Sequence, residues 1–291
     1  MTRALSVLLS VGLAVIASSR VQADARLAII IDDIGYNQVQ SERAARLKGA
    51  FTLSVLPFTP HGISSAKLAH QYGKELMVHL PMSAISNMPI GKGGLVSGMG
   101  KTAFLSTLRQ NLDNIPYALG ANNHMGSQLT QEAEPMQWLM EELDRRRLFF
   151  VDSRTSVNTK ALDIAHKYQV PSLKRDVFLD DLNETRAIEY QLNRALQFAR
   201  QRGSAVAIGH PYPTTLGVLE AMQPLLEKQE VRLVYVSQLL KPRTEIHTAV
   251  KFAPVPGERA YCPTPQTLLE SHTKVDLYDR IGIMHFHIFG Y

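Results

Sequence analysis

From Arg26 to about Leu240 the chain alternates short apolar runs with amphipathic stretches. The runs are Leu27–Ile31, Phe51–Leu56, Leu76–Leu80, Ala118–Asn122, Leu148–Val151, a weak one near Leu173, Ala205–Ile208 and Val231–Val236. Unbroken apolar runs of this length predict strands buried on both faces, as in a parallel sheet. Between them, Phe104, Leu108, Leu112 and Ile115 recur at helical spacing, as do Met136, Leu139, Met140 and Leu143, and Ile188, Leu192, Ala195 and Ala199. Gly49, Gly73 and Gly203 follow such stretches and suit helix C-termini.

Eight strand candidates and about seven helices predict an α/β domain, either a doubly wound open sheet or a closed (β/α) barrel. Periodicity alone does not choose between them. The domain is expected to span residues 24–240. After Val236 the pattern degrades, and Lys241–Gln266 holds five prolines, so residues 241–291 read as a Pro-containing tail with no assigned role. His285 and His287 could pair on a metal there, but a short terminal strand with incidental histidines is the simpler reading.

Composition narrows the compartment. Arg3, the apolar stretch Ala4–Ala17 and the small-residue site Val21-Gln22-Ala23 predict a signal peptide over residues 1–23, hence a periplasmic or secreted protein. The rival, an uncleaved anchor, is disfavoured because about 14 apolar residues fall short of the roughly 20 that span a bilayer. No later segment is apolar enough to span. Cys262 is the only cysteine, which excludes an internal disulfide and a cysteine-based zinc site. The net charge of +5 becomes +3 once Arg3 and Arg20 leave with the signal peptide, which argues against nucleic acid as a partner.

The chemistry sits where the runs end. They terminate in Asp32-Asp33-Ile-Gly35, His79-Leu-Pro81, Asn123-His124-Met-Gly126, Asp152-Ser-Arg154, Lys174-Arg175-Asp176 and Gly209-His210-Pro211. A parallel sheet gathers the C-terminal ends of its strands on one face, so these groups can share a pocket. Two adjacent carboxylates after five apolar residues repel each other and pay for desolvation unless a cation or a base role compensates. A turn that caps the next helix is the alternative for Asp32 and Asp33. His79 and His124, with one of the aspartates, form a donor set suited to Zn²⁺ or a similar divalent ion with open positions. His210 could pass a proton to a leaving group, serve as a third ligand, or simply pack. Asp152, Arg154, Arg175 and Asp176 could orient catalytic groups, grip substrate oxygens, or form an ordinary ion-pair network.

The runs Ile29-Ile-Ile-Asp32-Asp33-Ile-Gly35, Asn122-Asn-His124-Met-Gly-Ser127, Asp152-Ser-Arg154-Thr and Gly209-His210-Pro211 resemble, in order, those of the divergent bacterial branch of the polysaccharide deacetylases. The resemblance covers roughly Ala25–Leu240. It implies a distorted (β/α) barrel of about seven strands, a divalent metal held by Asp33 and two histidines, and Asp32 as general base. The better-known members carry both metal histidines on one strand as His-x-x-x-His. Here His79 is followed by Leu-Pro-Met82, so His124 on the next strand is left to supply the second imidazole.

The activity this implies is metal-dependent hydrolysis of N-acetyl or O-acetyl groups on a cell-envelope polysaccharide, at carbon–nitrogen bonds other than peptide bonds in the first case. His210 would be the acid, and Asp152, Arg154, Arg175 and Asp176 would support the site or touch substrate. Two other readings stand beside it: a periplasmic module that binds glycan or protein without turnover, and a hydrolase of other esters or amides.

Overall fold

The computed structural model describes residues 25–86 and 88–241. The signal peptide, Cys262, His285, His287 and nearly all of the Pro-containing tail lie outside the described residues. Strands β1 (Ala25–Ile34), β2 (Phe51–Val55), β3 (Glu75–Met82), β4 (Ala118–Met125), β5 (Phe149–Asp152), β6 (Ser172–Lys174), β7 (Val177–Phe178), β8 (Ser204–Gly209) and β9 (Val231–Val234) form one sheet. Every ladder is parallel.

The hydrogen-bonded path runs β6-β5-β4-β3-β2-β1-β8-β7, with β9 paired to the first half of β1. The two ends of this path are consecutive in sequence. Lys174 and Val177 are three residue steps apart, which spans at most about 11 Å. The sheet therefore curls round until its edges nearly meet, although no ladder joins β6 to β7 among the described residues. This is the distorted barrel that the family resemblance implies, with eight strands on the path in place of about seven. The added strand, β7, has two residues and so offers no periodic signal to read.

The covering helices follow from the apolar spacing. They are α1 (Gln38–Arg46), α2 (Gly62–Gln71), α3 (Lys101–Asn114), α4 (Ala133–Arg145), α5 (Ala161–Lys167), α6 (Thr185–Arg202), α7 (Pro213–Glu220) and α8 (Gln223–Gln229). Asn37 starts α1 by accepting a hydrogen bond from the Gln40 N–H. Phe104, Leu108 and Leu112 of α3 and Met136, Leu139, Met140 and Leu143 of α4 are buried, as their spacing predicts. Gly203 ends α6 in the left-handed region.

Two apolar cores result, one on each face of the sheet. The larger joins Leu27, Ile29 and Ile31 of β1 to the helices. The smaller fills the barrel with Ala28, Ile30, Met77, Phe149, Val151, Val206, Ile208, Val234 and Val236. Strand alternation explains the division, since residues two apart share a face. Gly120 makes room for this interior: a Cβ there would lie 2.4 Å from the Phe149 ring.

Candidate functional site

Continuing the inward-facing rows by two residues converts an apolar interior into a polar end. Ala28 and Ile30 lead to Asp32, Met77 leads to His79, Gly120 leads to Asn122 and then His124, Val151 leads to Ser153, and Ile208 leads to His210. The period of a β-strand thus delivers one carboxylate and three imidazoles to the C-terminal mouth of the barrel.

Asp33 breaks the alternation, because the residue after Asp32 would ordinarily face the helices. Its backbone takes the left-handed region at φ 56°, and the pairing of β1 with β2 slips between Ile31 and Ile34. Aspartate tolerates this conformation better than most side chains. The slip turns Asp33 back toward the mouth, so neighbouring carboxylates meet the same imidazole: His79 Nε2 lies 3.2 Å from Asp33 Oδ1 and 3.7 Å from Asp32 Oδ2.

Asp33 Oδ1, His79 Nε2 and His124 Nδ1 form a tight triangle. The carboxylate oxygen is 2.9 Å from His124 Nδ1, and the two nitrogens are 3.2 Å apart. Ligands about 2.0–2.1 Å from a tetrahedral ion are separated by about 3.3 Å, so this triangle has nearly the size of one face of such a shell. Asp33 Oδ1 is buried and accepts no hydrogen bond, although both nitrogens are close. Burial lowers the pKa of His79, but the carboxylates of Asp32 and Asp33 more than reverse it. Burial raises that of Asp33, and the imidazoles of His124 and His79 more than reverse that, holding it well below the usual range. Three atoms with lone pairs, one of them orphaned, in a field that attracts positive charge, fit a divalent cation.

Asp32 and His210 flank the triangle. Burial pushes the Asp32 carboxyl above the usual carboxylate range, against the pull of His79, His210 and a hydrogen bond from Asn122. His210 Nε2 lies 3.9 Å from Asp33 Oδ2, and its Nδ1 lies 2.9 Å from Asp180 Oδ1. Burial lowers the pKa of His210, yet Asp180, with Asp32 and Asp33 further off, brings it up to about 9. Asp180 is itself fixed, because its Oδ2 accepts from the His210 backbone N–H at 2.7 Å and from Thr215 Oγ1 at 2.7 Å.

A cavity of about 390 Å³ opens over these groups, lined also by Asn123, Met125, Ser153, Arg154, Thr155, Arg175 and Phe178. Asp152 lies beneath it, accepting from the Arg154 N–H and from Thr159 Oγ1, which bends the chain so that Arg154 takes φ 51°. Arg175 donates to the carbonyls of Ser153 and Arg154 and stacks its guanidinium 5.0 Å from the Phe178 ring centre. The structure therefore brings Asp32, Asp33, His79, His124, His210, Arg154 and Arg175 together, with Asp152 in support. Asp176 is not brought to the cavity: its carboxylate accepts from the Val206 N–H and pairs with Arg202 of α6.

Sequence reasoning missed Asn122 and Asp180. Asn122 had a signal, since it stands two residues before His124 and shares its face. Asp180 had none, because it follows a two-residue strand and meets His210 only in the fold.

A parallel barrel with an aspartate–histidine–histidine cluster at its strand ends is the class of protein that fold and site define. Within that class, the chain belongs to the divergent polysaccharide deacetylase family, whose model matches residues 29–240. It is 40% identical over 229 residues to the uncharacterized protein YibQ of Escherichia coli K12, covering 78% of this chain and 72% of that one. An uncharacterized protein of Haemophilus influenzae is 32% identical over 266 residues, 90% of this chain and 89% of its own. Among solved structures, the uncharacterized protein ATU2773 of Agrobacterium tumefaciens C58 superposes with a TM-score of 0.71 at 22% identity, covering 74% of this chain and 89% of that one. No helix among the described residues is long and apolar enough to cross a membrane.

Proposed function

We propose that the protein is a metal-dependent deacetylase that removes N-acetyl or O-acetyl groups from a cell-envelope polysaccharide after export. The observation that carries this reading is the convergence of Asp33, His79 and His124, with Asp32 and His210 each within 4 Å of a triangle residue. Family membership supports the substrate class.

Asp33, His79 and His124 would hold a divalent ion, Zn²⁺ suiting the donor set best. When bound, that ion supplies Lewis-acid polarisation of the acyl carbonyl and makes a nearby water more acidic. Asp32, made more basic by burial, takes a proton from the attacking water. His210, charged at neutral pH, gives its Nε2 proton to the departing amine or alkoxide, and Asp180 holds Nδ1 and stabilises the charge before transfer. Arg154 and Arg175 line the cavity where sugar oxygens would lie.

The test is acetate release from N-acetylglucosamine oligomers, O-acetylated glycan and peptidoglycan fragments by protein with one Zn²⁺ per chain. Acetate release that Asp32→Asn abolishes supports the proposal. Glycan binding with no acetate from any substrate would replace it with the non-catalytic binding module.

A further inference from the structure

We infer that Asn122 is a positioning residue that sets the ligand face of His79 and the orientation of Asp32 through a single amide; the inference rests on the metal reading of the triangle. Asn122 is fully buried at the centre of β4, paired across the sheet with His79. Its four hydrogen-bonding positions are all used. Oδ1 lies 2.6 Å from Ser54 Oγ and 2.7 Å from His79 Nδ1, while Nδ2 lies 2.8 Å from Asp32 Oδ1 and 3.3 Å from Ser153 Oγ.

These contacts form a chain of forced choices. Serine hydroxyls can donate or accept, so Ser54 and Ser153 decide nothing. The Asn122 NH₂ group faces Asp32 and donates to its Oδ1. The amide oxygen then faces His79, and an acceptor there requires a proton on His79 Nδ1. In the neutral imidazole the lone pair is therefore on Nε2, which is the atom directed at Asp33 Oδ1 and His124 Nδ1. The same amide thus fixes the base and exposes the ligand atom. An outer partner that fixes a histidine ligand's tautomer typically changes metal affinity about 10–100-fold when removed.

Two substitutions separate the two halves of this arrangement. Asn122→Asp keeps an acceptor for Ser54 and His79 but loses the donor to Asp32 and sets a second carboxylate against it. Asn122→Leu has similar volume and removes both halves. Zn²⁺ alone is titrated calorimetrically into metal-free protein, and acetate release is measured on the loaded forms. The expected result is that Asn122→Asp binds Zn²⁺ at least as tightly as the unaltered protein and loses activity at least about tenfold. Asn122→Leu loses about tenfold or more in Zn²⁺ affinity.

A spectroscopic readout on the unaltered protein does not depend on either variant folding. With ¹¹³Cd bound, nitrogen NMR is expected to show metal coupling at His79 Nε2 and a protected proton on Nδ1. Coupling at His79 Nδ1, or unchanged Zn²⁺ affinity in Asn122→Leu, would overturn the inference while leaving the metal site standing. Failure of the unaltered protein to bind either ion would overturn the metal reading itself and this inference with it.

Discussion

His210 and Asp180 meet side chain to side chain at 2.9 Å, although thirty residues and all of α6 separate them in sequence. The Asp180 carboxylate also holds the His210 backbone, so ring and main chain are fixed by one group. Phe178 packs edge-on against the imidazole, with ring centres 5.4 Å apart.

Asp180→Asn is expected to return the His210 pKa from about 9 toward 6.5, read by NMR titration of the metal-free protein. The folded-state value is raised, so the stability His210 contributes is fully present below about pH 6.5 and lost as pH rises through about 9. The variant should lose that pH dependence between 6.5 and 9 in thermal unfolding. Under the proposed function, its alkaline limb of acetate release should move to lower pH. An unchanged titration would show that Asp180 is not the group that raises the pKa.

His124→Ala removes one corner of the triangle and leaves the two carboxylates and His79 in place. Its expected outcome is loss of stoichiometric Zn²⁺ by elemental analysis, with an unfolding midpoint within a few degrees of the metal-free parent. Full metal content in this variant would exclude His124 as a ligand.

Gly120→Val should destabilise the barrel by about 1–3 kcal/mol, because the first added carbon already falls 2.4 Å from the Phe149 ring. Combining it with Phe149→Leu should recover part of the loss, since the two sites share one space. Chemical denaturation of the single and double variants measures both.

Glu142 on α4 is buried beneath Arg109, Arg145 and Arg146. Burial raises its pKa, but the three guanidinium groups outweigh it and bring the carboxyl down to about 2. Its stabilising contribution is therefore present above about pH 4.5 and lost as pH falls toward 2. Glu142→Gln is expected to cost about 1–2 kcal/mol at neutral pH, limited because two of the arginines are well exposed. The cost should vanish in acid, which denaturation at pH 7 and below pH 3 compares.

The chain order of short apolar runs and amphipathic helices was legible because β1, β2, β3, β5 and β8 are buried on both faces and the helices on one, and burial is written in residue type. Asp32, His79, His124 and His210 were legible for a related reason, since each stands at or just past the end of a largely apolar strand, where no packing requirement asks for a polar group. The seam at Arg175 and Asp176 was not, because barrel closure depends on how far the sheet curls, which no local pattern encodes. Asp176 looked like a site residue and lies against Arg202, since its strand-end neighbourhood in sequence says nothing about which way the side chain points.

The sequence by itself determined that an acidic pair and several imidazoles would share one end of a parallel sheet, because strand direction and the two-residue period follow from local chemistry. Only the tertiary structure decided how they are used. The left-handed turn at Asp33 gives both aspartates a common imidazole. Asn122 joins that imidazole to Asp32, and Asp180 sets the charge of His210. Hydrogen-bond partners and desolvation depend on distances across the barrel, and those exist only once the chain has closed on itself.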